Sequence, residues 1–533
     1  MSVRASSRRS PSMLTTVWLL ALLGVAAGGA VAQLAEGHRA PGPAPGPAPA
    51  PSPVHRLTLD NGVEVLLVRR AGLPFVAAGW AVRAGSADDP PGARGTAHLV
   101  EHLLHQGSET LGTSDWPRER RLLERQEDLV DRLEAARRDG SGSGAQDAAR
   151  RLSELHRELT AIQRKGEAAA WAARGGITAI DALTEPDFSI YWAQVPLGQL
   201  ELWFWLESDR LAAPVFRDFY SELQVVAEEL AQRVASRPGG PAEAEFDALF
   251  WPRVGVPGYA WPAGGLAEEI AALRPRDARG FFDRHYRPDR LLFALVGDVD
   301  PELVHRLADV YLGRLAPRGP APPSRRSEAS TESGEAPGPV VLERSCRCRA
   351  RVELRWPSAA AGDDEEALYD LLAGVLNGRT GRLHRSLVEQ REIAFAAYAL
   401  HASRGLAGSL RLTAEALEST SAAGEPEAEL AQLQQALLTE LRRVAEHGVT
   451  ADELTRVRRR LMTEHASQLE PSQGLLLRLL ARRAVAEAAG EDRVWRRGEL
   501  LDGVDPAAVQ ALATRLVRLE PSVLRLRREE APS

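Results

Sequence analysis

Residues 316–339 are rich in Pro, Ser, Gly and Glu and show no apolar periodicity. Such a composition cannot build a packed core, so the segment is predicted to be a linker. It separates two stretches, 54–315 and 340–533, that each alternate strand-like and helical patterns. The chain is therefore predicted to have an α+β fold with two similar domains, each with helices packed on one face of a mostly antiparallel sheet.

The N-terminus has the three parts of a secretory signal: three early arginines, an apolar stretch at 13–25 and a small-residue cleavage site at 30–32. We expect residues 1–32 to be a signal peptide, followed by a Pro/Ala-rich linker at 33–53. The protein is then secreted or periplasmic, with no stable membrane span after signal cleavage. The alternative is a retained membrane anchor, for which the apolar stretch is short, because a span needs about 20 residues.

The charge of the chain excludes one class of partner. It carries 66 basic and 73 acidic residues, a net charge of −7, with the arginines spread among glutamates. A nucleic-acid-binding surface would need a clustered basic excess. We therefore expect no nucleic-acid partner.

The two cysteines, Cys346 and Cys348, lie two residues apart on a predicted strand. Strand alternation puts both on one face, where a bridge between them would strain the backbone. They lack nearby histidines for a zinc site. We therefore expect unpaired small residues or a stray redox pair.

Residues 117–168 differ from their surroundings. Apolar positions recur at helical spacing on a charged background, and the sequence DGSGSGAQD interrupts them at 139–147. This pattern predicts an antiparallel helical hairpin with a flexible tip, inserted into a more compact domain. Its charges are expected to form a solvated face.

The sequence His98-Leu-Val-Glu101-His102 lies in a helical context. Two histidines four apart share one helix face, so both imidazoles can bind one metal ion. A carboxylate at Glu101 can accept a proton from an activated water instead of binding the metal. This is the order of an inverted zincin motif. The alternative is a His-rich amphipathic helix face, because His105 continues the series.

A catalytic zinc site needs a third protein ligand and an open position. Glu222 and Glu229 are candidates, because residues seven apart share one helix face. One can bind the metal while the other holds a histidine or the substrate. Glu228 points about 100° away from this face and is the weaker candidate. The alternative is a helix with acidic residues on its solvated face.

Four ordered stretches resemble the pitrilysin/insulysin/mitochondrial-processing-peptidase family of inverted zincin metallopeptidases, in its bacterial two-domain type. These stretches are GTAHLVEHLLHQGSETLGT, GGITAIDALTEPDFSIYW, ESDRLAAPVFRDFYSELQVVAEEL and HYRPDRLLFALVGDVD. The insertion at 117–168 accounts for a longer distance between the motif and the third-ligand helix than the family usually has.

The resemblance implies a Zn²⁺ site and a role for each residue. His98, His102 and Glu229 would be ligands, Glu101 the general base and Glu222 a supporting catalytic glutamate. It also implies that a peptide substrate adds to the sheet edge near 177–191, with Asp181 and Ala182 in contact with it. Family members often carry Asn where Asp181 stands.

The C-terminal half departs from the family pattern. Active members commonly carry an arginine and a tyrosine seven apart that grip the substrate carbonyl, and the matching positions here are Val388 and Phe395. Neither side chain can donate a hydrogen bond. Arg391 and Tyr398 are also seven apart but lie three residues out of register. A homodimer, or a heterodimer with a related subunit that supplies the missing pair, is the partner expected.

The sequence thus predicts a zinc-dependent endopeptidase that hydrolyses peptides or small unfolded polypeptides outside the cytoplasm. One alternative is a catalytically silent family member that acts as a scaffold or partner subunit of an active peptidase. Another is an envelope-tethered interaction module whose working surface is the helical hairpin.

Overall fold

The computed structural model describes residues 54–316, 338–417 and 426–529. The predicted signal peptide at 1–32, the linker at 33–53 and most of the linker at 316–339 lie outside the described residues. Within the described part, the chain forms two compact units. The N-terminal unit contains residues up to 316 except 253–256, and the C-terminal unit contains the remainder.

The N-terminal unit is built on a six-stranded sheet. Its strands β1 to β6 are Val54–Thr58, Glu64–Arg69, Phe75–Val82, Thr178–Thr184, Ser189–Pro196 and Leu291–Gly297. Their order in the sheet is β1-β2-β6-β3-β5-β4. The β2–β6 pair is parallel and the other pairs are antiparallel. Strand β4 therefore lies at an edge of the sheet, beside β5.

Ten α-helices belong to this part of the chain. Helices α1 to α10 are Thr96–Leu103, Trp116–Arg138, Gly142–Ile162, Glu167–Arg174, Leu200–Ala212, Phe219–Val234, Gly240–Arg253, Ala267–Ile270, Pro275–His285 and Pro301–Tyr311. Helices α1, α5, α6 and α9 contribute buried side chains to one core with alternate residues of the sheet.

Large aromatic side chains fill the centre of this core. Trp80 of β3 stacks on Tyr191 of β5 with ring centroids 4.0 Å apart, and it also packs against Phe293 of β6. Every residue of β6 is buried. A strand buried on both faces reads as a continuous apolar run, which is why LLFALVG carries no polar alternation.

The inserted hairpin consists of α2 and α3 and has a small core of its own. This core contains Leu122, Leu129, Leu155, Leu159 and Ile162. The predicted break at 139–147 was too long, because α3 already begins at Gly142. Ser141 caps it by accepting a hydrogen bond from the Gly144 N–H, which lets the helix start inside a Gly/Ser stretch.

The C-terminal unit is likewise built on a sheet, which has five strands. Strands β7 to β11 are Val341–Cys346, Arg351–Ser358, Ala394–Ser403, Gly408–Ala416 and Ser522–Arg528, in the sheet order β7-β11-β8-β10-β9. Helices α11 to α16 are Glu366–Leu376, Pro426–His447, Ala451–Leu469, Ser472–Trp495, Arg497–Asp502 and Pro506–Arg518. The β7–β11 pair is parallel and the rest are antiparallel.

These two units confirm the predicted α+β fold with mostly antiparallel sheets. Among the described helices, none is long and apolar enough to cross a membrane.

Cys346 and Cys348 form a disulfide, so the first of the two expectations for them, unpaired small residues, was wrong. Strand β7 ends at Cys346, so Cys348 lies in the bend beyond it, where strand alternation no longer directs its side chain. The two Cα atoms are 5.2 Å apart, within the usual range for a disulfide.

We predict that Phe293→Ala lowers the free energy of unfolding of the N-terminal unit by about 3–5 kcal/mol, because it leaves a cavity in the centre of β6. Val310→Ala on α10 is the control: its side chain is 63% exposed, and we expect a change within about 0.5 kcal/mol. Urea unfolding of the full chain measures both. Equal stability of the two variants would contradict the assigned core.

Candidate metal centre

A buried carboxylate fixes where α1 begins. Asp89 accepts hydrogen bonds from the backbone N–H groups of Gly95, at 2.7 Å, and Ala97, at 2.8 Å. Gly95 has φ +102°, and a Cβ atom there would lie 2.9 Å from the carbonyl oxygen of Gly264. Burial raises the pKa of Asp89 well above its usual value. A glycine at the start of the helix therefore permits both the left-handed backbone and the close approach of the neighbouring loop.

Three predicted ligands converge between α1 and α6. His98 Nε2 lies 3.5 Å and His102 Nε2 3.8 Å from Glu229 Oε2. One ligand atom from each residue lies within 4.8 Å of the others. In the part of the chain that the structure describes, this is the one such group of His, Cys, Asp or Glu side chains. The four-residue spacing of the histidines brings their rings to a centroid distance of 4.8 Å.

The donor set fits a zinc ion. Ligand atoms about 2.0–2.2 Å from one tetrahedral zinc are roughly 3.3–3.6 Å from each other, close to the distances of 3.5 and 3.8 Å between the two histidines and Glu229 Oε2. Burial lowers the pKa of His98 well below its usual value, and the nearby charges of His102 and Arg233 lower it further. His98 is therefore neutral, which is the form that binds a metal.

Glu222 contacts the ring nitrogen of His102 that is not directed at Glu229. His102 Nδ1 lies 3.2 Å from Glu222 Oε2, which leaves Nε2 directed at Glu229. The other oxygen of Glu222 accepts a hydrogen bond of 2.8 Å from Gln106 Nε2. Burial lowers the pKa of His102, but the hydrogen bond to Glu222 and the surrounding carboxylates raise it by more. The carboxylates around His102 therefore favour a positive charge at this place.

Glu101 lies on the same helix but outside the ligand group. Its Oε2 accepts a hydrogen bond from Thr184 Oγ1 at the end of β4. Burial raises its pKa to about 7, although the charge on His102 and the Thr184 hydrogen bond lower it. A carboxyl with such a pKa can both accept and release a proton near neutral pH.

The predicted substrate-binding residues lie on the edge strand β4. The Asp181 carboxylate accepts a hydrogen bond from the Ala182 N–H at 2.9 Å. Burial raises the pKa of Asp181, and the charge of Glu229 raises it further, which relates this residue to the metal site electrostatically. The pairing of β4 with β5 is irregular just before Asp181, where Ala179 has φ +48°.

The Val388 and Phe395 positions lie in the C-terminal unit. Val388 is on the π-helix His384–Gln390 and packs against the core of that unit. Phe395, at the start of β9, is 42% exposed, and the Arg349 guanidinium lies 4.1 Å above its ring. Arg391 is exposed after the π-helix and Tyr398 is half-buried on β9.

The residues that hold the predicted ones in place were not predicted from the sequence. Asp89, Gln106, Thr184 and Arg217 were not singled out. Gln106 had a local signal, because it follows His102 by four residues and so shares its helix face. The others act across 83 or more residues of sequence, or through a backbone cap, and carry no motif of their own.

Two family profiles match the chain. "Insulinase (Peptidase family M16)" matches residues 64–120, which include the histidine motif, and "Peptidase M16 inactive domain" matches residues 272–461. An uncharacterized zinc protease of Streptomyces coelicolor is 23% identical over 476 residues, 88% of each chain. Zinc protease PqqE of Helicobacter pylori is 22% identical over 423 residues, 78% of this chain and 80% of that one.

Solved structures show the same fold. A protease from Helicobacter pylori superposes with a TM-score of 0.69 at 17% identity, covering 90% of this chain and 100% of that one. The first half of the periplasmic protease PqqL from Escherichia coli gives a TM-score of 0.62 at 17% identity, covering 90% and 92%. With two M16 profiles matched in order and zinc proteases matched along most of its length, the chain belongs to the insulinase, or M16, peptidase family in its bacterial two-domain type.

Proposed function

We propose that the chain is a zinc-dependent endopeptidase that hydrolyses peptides or small unfolded polypeptides outside the cytoplasm. The observation that carries this proposal is the convergence of His98, His102 and Glu229, with Glu101 beside them and free of the ligand group. A purely structural acidic cluster would not place a buried and a half-buried histidine against one carboxylate.

His98, His102 and Glu229 would hold the ion, which when bound would polarise the scissile carbonyl and make water a better nucleophile. Glu101 accepts the proton of the attacking water and passes it to the leaving amine. Thr184 donates a hydrogen bond to one oxygen of Glu101 and so sets the direction of the carboxylate. Glu222 keeps His102 oriented through its Nδ1 atom.

The edge of the sheet supports the peptide as the substrate class. Strand β4 ends at Thr184, which contacts the catalytic carboxylate, and it has a sheet neighbour on one side. An extended peptide that adds to this edge would place a backbone carbonyl near the metal site. Asp181 and Ala182 would contact it there.

A second subunit is part of the proposal. Val388 and Phe395 give the C-terminal unit no hydrogen-bond donors at the positions expected to grip the substrate carbonyl. A related subunit in a heterodimer would supply them, whereas a homodimer, whose copies share Val388 and Phe395, would work without them. The same two residues favour the alternative of a catalytically silent partner subunit, and the C-terminal profile is that of an inactive domain. Placement outside the cytoplasm rests on the N-terminal signal pattern.

We predict that Glu101→Gln keeps one equivalent of zinc and lowers kcat/KM on a broad fluorogenic peptide mixture by about 10²–10⁴-fold, because the amide cannot take a proton from water. Metal analysis and peptidase assays on the same preparation measure both. Wild type that binds zinc and cleaves nothing, alone or with a co-expressed related subunit, would support the silent alternative.

We also predict that Glu229→Gln lowers zinc affinity strongly, whereas Glu228→Gln does not. The two glutamates are adjacent on α6, but Glu228 is exposed and outside the ligand group. Removal of metal with a chelator should abolish cleavage by wild type, and added zinc should restore it. Equal zinc affinity of the two variants would exclude Glu229 as the third ligand.

A further inference from the structure

The inserted hairpin is joined to the metal centre by a buried ion pair. Glu119, in the first turn of α2, accepts hydrogen bonds from Arg217 Nε at 2.8 Å and Nη2 at 3.0 Å. The two side chains are 0% and 4% exposed. Gln163, just after α3, donates a further hydrogen bond of 2.9 Å to Glu119. A buried pair of this kind adds little net stability, because desolvation offsets the attraction. Its role is better explained as holding the two segments in one arrangement.

The remaining donors of Arg217 hold the loop that follows α1. Its guanidinium donates to the backbone carbonyls of Ser108 at 2.8 Å, Leu111 at 3.0 Å and Gln106 at 3.3 Å. Gly112 in this loop has φ +99°, and a Cβ atom there would lie 2.9 Å from Arg217 Nη1. The loop is therefore shaped closely around the guanidinium.

This loop reaches the metal ligands through one residue. The backbone of Gln106 is held by Arg217, and its side chain donates to Glu222 at 2.8 Å. Glu222 in turn contacts His102. A continuous set of polar contacts thus runs from Glu119 to the second histidine.

The hairpin contacts the start of α6 as well. Lys165, three residues after α3, pairs with Asp218 at 2.7 Å. Asp218 follows Arg217 directly, precedes α6 and has φ +51°, a strained conformation for a residue with a side chain. The contacts of Arg217 and Asp218 therefore fix the two residues that precede α6. This helix carries both Glu222 and Glu229.

We propose that Arg217 is a positioning residue for the metal centre, and that Glu119 of the hairpin holds it so that Gln106 and Glu222 orient His102. The hairpin is then part of the frame of the site and not an appendage. This inference rests on the proposed metal centre, but it does not depend on peptidase activity.

The test measures zinc affinity of the full chain by competition with a chromogenic chelator, well below the unfolding temperature. We expect Glu119→Gln and Arg217→Lys each to weaken zinc binding by about 10–100-fold, as the loss of a partner behind a metal ligand commonly does. The matched control is Glu134→Gln. Glu134 lies in the same hairpin and pairs with Arg274, which is outside the hairpin, and it has no part in the contacts between Glu119 and His102. It should leave zinc affinity unchanged.

Gln106→Ala separates positioning from folding. It leaves the Glu119–Arg217 pair intact and removes the contact with Glu222, so we expect the same direction of change in zinc affinity with little loss of thermal stability. If Glu119→Gln and Gln106→Ala bind zinc like wild type while only the melting temperature of Glu119→Gln falls, the positioning role is wrong. Wild type that binds zinc without cleaving peptides would overturn the proposed function and leave this inference standing.

Discussion

The helix that carries both histidines is buried on nearly every side, and each polar group on it therefore needs a partner inside the protein. Asp89 accepts a hydrogen bond from a backbone N–H group at the start of the helix, and Thr184 donates a hydrogen bond to Glu101. Glu222 contacts the Nδ1 atom of His102. These contacts leave the Nε2 atoms of the histidines facing Glu229 on the opposite helix. Most polar groups of this helix thus have a partner in the apolar core, whereas the buried Nδ1 of His98 has no hydrogen-bond partner among the described residues.

The C-terminal unit also has a helix with charged side chains in its interior, but arginines are their partners. Its helix α11, like α1, follows a long central strand, and it carries the buried Glu366 and the half-buried Asp370. Arg482 pairs with Glu366, and Arg497 pairs with Asp370. These carboxylates are neutralised by guanidinium groups, and the neighbouring arginines lower the pKa of Asp370 to about 2 against the effect of burial. A helix paired in this way has a structural role, which agrees with a single metal centre in the described part of the chain.

The sequence was sufficient to predict the two α+β units and the local motif, because strand alternation and the four-residue histidine spacing are short-range patterns. It did not reveal the Glu119–Arg217 pair, since the two residues are 98 positions apart and charged residues in a helical insertion resemble a solvated face. The Cys346–Cys348 disulfide was missed because the end of β7 was placed too late. The role of Asp181 in substrate binding stays a prediction. So does the consequence of having Val388 and Phe395 where hydrogen-bond donors are expected.

The proposed reaction requires that one zinc ion binds His98, His102 and Glu229. Crystals of the full chain grown with zinc, with anomalous diffraction recorded on both sides of the zinc absorption edge, test it most directly. We expect one strong anomalous peak about 2.0–2.2 Å from both Nε2 atoms and from a Glu229 oxygen, with Glu101 outside the coordination sphere. A peak bound by Glu101 or Glu222 in place of Glu229, or no peak between α1 and α6, would contradict it.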